Sequence, residues 1–275
     1  MENKSTTLLT YLCLVLAAAI LGLPFFWMVS TALKPAQEAA LYPPRWLPGE
    51  LHWQNFILAW QAAPMGRFYL NSLVTGLVTT FLQVSFALLM AYAFVFVRFP
   101  LKRVLFLLVL ATMMIPVEMK LVPNYLLLAR LHWTNTYWAL IIPPAAHAFP
   151  VFVLQQSFRT FPRDLVEAAK VDGAGHLHIL LRVVIPASRP MLAAVALLSF
   201  VARWNDYLWP LIVANKVTMR TLPIGLAYLK ETAEGGSQWH LLMAGAVMAA
   251  IPLLVLFLFT QKQFVAGITR GAVRG

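Results

Sequence analysis

The sequence predicts an all-α integral membrane protein with six transmembrane helices. Of its 275 residues, 61% are hydrophobic and 11% are charged, whereas an ordinary soluble domain has about 25% charged residues. A soluble fold of this size could not bury so much apolar surface. Three stretches contain no Asp, Glu, Lys or Arg: Ser5–Leu33, Phe68–Val97 and Leu131–Phe158. Each is longer than the roughly 20 residues that cross a bilayer as a helix.

Six apolar segments follow one another along the chain. Four are well defined, namely span one at 9–32, span two at 69–97, span four at 136–158 and span six at 241–260. Span three begins near Val104, but Glu118 and Lys120 shorten its uncharged run, and we expect these two near the outer surface without a chemical role. Span five, at 191–213, contains Arg203 and Asp206. We therefore expect one membrane domain over 1–275.

Basic residues are distributed unevenly between the two sides of the predicted bundle. The N-terminus, the loops after spans two and four, and the C-terminal segment hold 12 Lys and Arg, whereas the longer loops of the other side hold 8. Because basic residues collect in cytoplasmic loops, we expect both termini and the loop 159–189 to be cytoplasmic. The net charge of +11 is explained by this topology, and we expect no nucleic-acid partner.

The loop after span four contains a short predicted helix at about 163–172. Pro162 suits a first-turn position, Asp164 and Glu167 place negative charge near the positive helix end, and Gly173 is a good stop. Its apolar face, formed by Leu165, Ala168 and Ala169 at i, i+3 and i+4, is small enough to enter a shallow groove of a partner. On these residues alone, a helix lying on the inner membrane surface is an equal alternative.

This loop carries a motif of a known family. Glu167-Ala168-Ala169 is followed after three residues by Gly173 and after nine more by Val183-Val184-Ile185-Pro186. The pattern resembles the EAA motif of binding-protein-dependent ABC importer permeases, which reads E-A-A, three residues, G, nine residues, I-x-L-P. Val183 and Ile185 are mild departures from it.

Further motifs resemble the carbohydrate-uptake branch of that family. Trp204-Asn205-Asp206-Tyr207-Leu208-Trp209-Pro210 is similar to its W-N-[DEQ]-[YF]-L-W-P signature, and the segment 264–275 is similar to its C-terminal tail. The resemblance covers nearly the whole chain and is strongest to the smaller six-span permease subunit of maltose-type and glycerol-phosphate-type systems. It implies a type I ABC importer permease fold, with a core at 69–260 and a cytoplasmic tail at 262–275.

The resemblance also implies partners and roles. The chain would pair with a homologous permease subunit in a bacterial inner membrane, surrounded by membrane lipid. Two cytoplasmic ATPase subunits would bind ATP and Mg, and an extracytoplasmic binding protein would deliver a sugar, a polyol or a glycerol phosphate. The segment 163–173 would be the coupling helix that contacts an ATPase subunit, with contact residues Leu165, Glu167, Ala168, Ala169, Asp172 and Gly173.

Ionisable residues within spans are costly and indicate a cavity or a partner. Arg203 and Asp206 stand at i and i+3 and can pair with each other, so an ion pair is as good an interpretation as contact with substrate. We place Arg203, Trp204, Asn205 and Asp206 in the substrate pathway. Trp204 and Trp209 have the alternative of anchoring the chain at the membrane interface, which we favour over stacking on a sugar.

Other function classes find little support in the sequence. The phosphate-binding pattern G-x-x-x-x-G-K-[ST] is absent, so we expect no cofactor on this chain and no enzyme activity. His176 and His178 lack a third ligand, which makes a metal site a weak interpretation. A secondary transporter is the alternative class, but only Asp206 would serve as its coupling residue.

Overall fold

The computed structural model describes residues 4–236 and 238–272. Within this part of the chain the regular elements are helices, and no strand occurs. In chain order the α-helices are α1 (Lys4–Ala32), α2 (Ala36–Ala39), α3 (Gln54–Gln61), α4 (Met65–Phe96), α5 (Lys102–Ala111), α6 (Val117–Arg130), α7 (Tyr137–Ala145), α8 (Ala148–Arg159), α9 (Arg163–Val171), α10 (His176–Ile179), α11 (Ile185–Ala187), α12 (Arg189–Trp204), α13 (Leu208–Val213), α14 (Leu222–Gly236) and α15 (Trp239–Ala272).

Four segments are long and apolar enough to cross a bilayer, and two strongly bent helix pairs raise the number to six if each pair is one span. Spans one, two and six lie in α1, α4 and α15, and span four combines α7 and α8. Span three consists of α5 and α6, bent by 97°. The all-helical class is therefore confirmed, with four to six candidate spans. The second bent pair joins 176–187 to α12 at 83°, so its bounds differ from those of the predicted span five.

Spans three, four and five are broken, and the breaks precede prolines. A proline cannot donate to the carbonyl four residues earlier, and its ring collides with that carbonyl. Pro150 thus disfavours helix at Ala146, where α7 ends, and Pro210 disfavours helix at Asp206, so the predicted continuous span 191–213 divides into α12 and α13. Ile115, which precedes Pro116, is extended.

Two compact units emerge from backbone proximity. The first comprises the residues up to Gly66 together with Ile224–Ile251. Its helices meet at Ala32, Ala59 and Ala244, all fully buried, and small residues of this kind allow helices to approach closely in a membrane.

A buried lysine organises the loop that follows α1 in the first unit. Lys34 is 1% exposed; its Nζ lies 4.2 Å from the Trp27 ring and donates to the carbonyl of Arg45. Burial lowers the pKa of Lys34, and the charge of Glu38 partly opposes this shift. The Glu38 carboxylate accepts from the backbone N–H of Gly49 at 3.0 Å, which closes the loop.

The second unit comprises Arg67–Pro223 and the residues from Pro252 onward. Its largest cluster joins α4, α8, α9, α10 and α12 through the side chains of Ala87, Ala91, Tyr92, Val151, Leu154, Phe158, Val166, Ile179, Leu180, Val184 and Val195. Asn71, fully buried, donates to the carbonyls of Thr218 and Arg220 and accepts from the Tyr137 hydroxyl. One asparagine thereby joins segments of the chain that are far apart in sequence.

Candidate functional site

The predicted short helix of the loop 159–189 is α9, Arg163–Val171. Pro162 is extended (φ −59°, ψ 112°) and directly precedes the first helical residue. Gly173 has φ +80°, a left-handed conformation that glycine adopts without steric cost. The N–H groups of Gly173 and Ala174 donate to the carbonyls of Lys170 and Ala169, at 3.0 and 2.9 Å, and these bonds end the helix.

The faces of α9 differ from the predicted arrangement. Val166 is 3% exposed and packs into the large cluster of the second unit, and Ala169 packs against the same cluster. Leu165 is 49% exposed and Val171 86% exposed, and Glu167, Ala168, Asp172 and Gly173 are exposed as well. The free face is therefore rotated relative to the prediction: Ala169 faces the protein's own core, and Val171 joins Leu165 and Ala168 outside.

The segment that follows α9 is attached to span two. The Tyr92 hydroxyl of α4 lies 3.0 Å from Nδ1 of His176, and the two rings meet edge to face at 5.9 Å. Together with Val166, this contact connects both ends of the α9 region to transmembrane helices. His176 serves here as a packing and hydrogen-bonding residue, and no cluster of three metal-ligating side chains occurs among the described residues.

The residues 203–206 form the turn between α12 and α13. Nη1 of Arg203 lies 2.8 Å from Oδ2 of Asp206, which confirms the predicted pair, and both side chains are about one-fifth exposed, at 22% and 19%. The second carboxylate oxygen of Asp206 accepts from the N–H of Trp209 at 3.4 Å. Asn205 is exposed, and its Nδ2 donates to the carbonyl of Val201.

The two tryptophans around this turn are buried. Trp204 is 2% exposed and packs on the rings of Phe200 and Tyr69. Trp209 is 7% exposed, and its indole N–H donates to the carbonyl of Ala139. Within this chain their rings are covered by neighbouring side chains, so they hold the turn in place and offer no free face for an interfacial or a stacking role.

A cavity of about 600 Å³ lies where the breaks of spans three and four meet. Its polar lining includes Thr112, Lys120 and His147, and no carboxylate is among its described lining residues. Lys120 and Arg203 lie close enough to His147 for their charges to act on it. One carbonyl at the break of span four is satisfied by a buried side chain, since Nε2 of Gln83 donates to Pro144.

Sequence reasoning did not place Lys120 and His147 in one cavity. Lys120 was expected at the outer surface without a chemical role, and His147 is a single polar residue in an apolar segment. The prolines beside them were the available signal. Irregular backbone at membrane depth occurs where it is buried in protein or lines a watery cavity, and half-helix ends at such breaks bind substrates in many transporters.

Comparison with known proteins identifies the family. Residues 83–270 match the sequence model of the family described as "Binding-protein-dependent transport system inner membrane component". The chain is 32% identical over 273 residues to the sn-glycerol-3-phosphate transport system permease protein UgpE of Yersinia pestis bv. Antiqua (strain Antiqua), with 97% of each chain covered. The UgpE protein of Escherichia coli O1:K1 is also 32% identical, over 274 residues, with 97% of this chain and 98% of that protein covered.

Solved structures agree in fold. A chain of a bacterial ABC transporter involved in the import of the acidic polysaccharide alginate matches with a TM-score of 0.82 and 22% identity, covering 95% of this chain and 97% of that one. A second alginate ABC transporter structure, in complex with a periplasmic protein carrying an alginate pentasaccharide, matches with a TM-score of 0.66 and 17% identity.

These similarities confirm the resemblance read from the EAA-like motif and disfavour the secondary-transporter alternative. They also confirm that the chain is a transport subunit and not an enzyme. The chain belongs to the binding-protein-dependent transport system inner-membrane components and is a permease subunit of an ABC importer.

Proposed function

We propose that this permease subunit imports a carbohydrate or glycerol-phosphate solute and is driven through α9 by a cytoplasmic ATPase. The proposal rests mainly on the difference in burial between two faces of α9. One face is anchored by Val166 in the cluster that joins the transmembrane helices, and the other presents Leu165, Ala168 and Val171 to solvent. A helix held on one side and free on the other transmits a displacement as a rigid body.

The proposed machine has four kinds of subunit. A homologous permease subunit completes the pathway, two ATPase subunits bind ATP and Mg on the cytoplasmic side, and an extracytoplasmic binding protein delivers the solute. The termini and α9 face the cytoplasm, as the distribution of basic residues favours. The contact with the ATPase uses Leu165, Glu167, Ala168, Asp172 and Gly173, with Ala169 turned inward as a support.

The 600 Å³ cavity is the proposed solute-binding part of the pathway in this subunit. Arg203, Asn205 and Asp206 border the pathway at the neighbouring turn, where Trp204 supports them from behind. Lys120 and His147 offer N–H donors, and no described carboxylate of the lining opposes the lysine charge. This arrangement favours an anionic solute, in keeping with the glycerol 3-phosphate and the acidic polysaccharide named for the relatives.

Two leucines of similar exposure allow a matched test of the coupling helix. Leu165 lies on α9 and is 49% exposed, and Leu177 lies on α10 and is 66% exposed. In the full complex reconstituted into proteoliposomes, Leu165→Arg should abolish co-purification of the ATPase subunits and ATP-driven uptake. Leu177→Arg should leave both unchanged. Equal behaviour of the two variants would refute α9 as the docking element.

A second pair tests the cavity with sn-glycerol 3-phosphate as the probe. Lys120→Gln should reduce its uptake at subsaturating concentration about tenfold, which corresponds to the loss of one charge-assisted contact of about 1.4 kcal/mol. Lys216→Gln, an equal charge change at an exposed loop position, is the control. Uptake of maltose in place of the anion, or the same loss in both variants, would contradict the assignment.

A further inference from the structure

A second cavity lies where the beginning of span three meets the end of span four. It has a volume of about 460 Å³ and is lined by Phe94, Lys102, Arg103, Phe106, Gln155 and Arg159. These residues come from the end of α4, the beginning of α5 and the end of α8. All three helix ends lie on the side of the membrane that the proposed topology places in the cytoplasm.

Three cations surround this small space, and no described carboxylate lines it. Nζ of Lys102 donates to the carbonyls of Val95 and Val97, at 3.2 and 2.9 Å, which holds the lysine at the end of α4. The guanidinium of Arg159 lies 5.8 Å from the Phe106 ring centroid. The three cations line one cavity of about 460 Å³, and like charges that share such a space repel one another. An anion between them relieves that repulsion.

One residue that lines this cavity carries a buried polar atom that lacks a partner among the described residues. Gln155 is 2% exposed, and its Oε1 accepts no hydrogen bond from any described residue. A buried acceptor left without a donor costs about 1–3 kcal/mol. A ligand that carries a hydroxyl group as well as a negative charge would satisfy both the amide oxygen and the cations.

We propose that this cavity binds the headgroup of an anionic phospholipid of the inner leaflet, with phosphatidylglycerol as its simplest representative. The phosphate lies between Arg103, Arg159 and Lys102, and a glycerol hydroxyl donates to Oε1 of Gln155. Basic pockets between transmembrane helices at the cytoplasmic face are typical headgroup sites. The inference rests on the proposed topology for its choice of leaflet.

The surface beside the cavity favours a lipid over a soluble phosphate. Of the five positions 104–108 of α5, Phe106 is buried and the other four expose large apolar side chains: Val104 at 50%, Leu105 at 44%, Leu107 at 54% and Leu108 at 58%. A lipid whose headgroup occupies the cavity can lay an acyl chain along this face, and each buried methylene contributes about 0.8 kcal/mol. Inorganic phosphate gains nothing from this face.

Native mass spectrometry of the full importer complex, released from nanodiscs of defined lipid, tests the proposal. The test variant is Arg103→Gln combined with Arg159→Gln. The control is Arg98→Gln combined with Arg182→Gln, which removes the same charge from exposed positions of the same side outside the cavity. In nanodiscs of phosphatidylglycerol and phosphatidylcholine, the wild type and the control should retain one more phosphatidylglycerol than the test variant, and the fraction retaining it should differ at least tenfold.

Three results would overturn the proposal. The first is equal retention of phosphatidylglycerol by the test and control variants, and the second is equal retention of phosphatidylcholine and phosphatidylglycerol by the wild type. The third is displacement of the bound lipid by millimolar inorganic phosphate, which would assign the cavity to a soluble anion. Since lipid retention is read without ATP or solute, its outcome is independent of the uptake tests of the proposed function.

Discussion

The turn after α9 allows a prediction that separates the effect of backbone strain from the effect of side-chain contact. Gly173 (φ +80°) and Gly175 lie two residues apart, and a Cβ added at either would meet no atom within 4 Å. Gly175 has φ −72°, which alanine adopts freely. Gly173→Ala therefore introduces only the strain of a left-handed alanine, about 1–2 kcal/mol. Gly175→Ala introduces no such strain, and its gain from restricting the unfolded state is offset because alanine is a poorer N-cap for α10 than glycine.

Hydrogen–deuterium exchange of the reconstituted complex measures this strain where it acts. The amides of Asp172, residue 173 and Ala174 donate to carbonyls of α9 at 3.0, 3.0 and 2.9 Å. A cost of 1–2 kcal/mol raises the population of the opened turn about 5–30-fold, so these amides should exchange faster by that factor in Gly173→Ala. In Gly175→Ala they should exchange no faster than in the wild type.

Solute uptake should respond in the same order. If α9 acts as a rigid coupler, Gly173→Ala lowers ATP-driven uptake per ATP hydrolysed, and Gly175→Ala does not. Identical exchange rates in the two variants would refute the argument from backbone strain. Faster exchange in Gly173→Ala without any change in coupling would refute the rigid-coupler argument and leave the strain argument intact.

Three further predictions concern stability. Asn71→Ala should lower the free energy of unfolding by about 2–4 kcal/mol, because the carbonyls of Thr218 and Arg220 lose their donor. Thermal unfolding in detergent measures the loss, and a loss no larger than that of Asn205→Ala would contradict the prediction. Asp206→Asn should lower the free energy of unfolding by about 1–3 kcal/mol through loss of the ion pair with Arg203. A double-mutant cycle with Arg203→Met that shows no coupling energy would exclude the ion pair as the cause of the loss. The pKa of Lys34 is lowered in the folded state, so between that lowered pKa and the ordinary value of 10.5 the unfolded state binds more protons than the folded state. The free energy of unfolding should therefore rise with pH through this window. A pH titration of unfolding that shows the same rise in Lys34→Met would rule out this lysine as its source.

Local patterns predicted the membrane character, the order of the apolar segments and the short helix of the loop 159–189. Apolar runs need no tertiary information, since bilayer thickness alone sets the required length. The end of α9 was equally readable, because Gly173 supplies a left-handed residue after Val171. The i and i+3 spacing of Arg203 and Asp206 offered their ion pair as one of two equal interpretations, and the structure shows the pair.

Tertiary packing decided which prolines break their helices. Pro24 and Pro252 lie inside continuous helices, whereas Pro116, Pro150 and Pro210 follow breaks. The local chemistry of the five is the same. At the break of span four, the carbonyl of Pro144 accepts from the side chain of Gln83 of α4, a contact that spacing along the chain does not encode.

By itself, therefore, the sequence determined the class of the protein, its helical segments and the EAA-like motif of its family, because each depends on composition or on residues close together in the chain. Only the tertiary structure decided which face of α9 is free, why Trp204 is covered, and that Lys120 and His147 share one cavity. Those facts depend on contacts between helices remote in sequence, where the packing of whole surfaces overrides the pattern of any single segment.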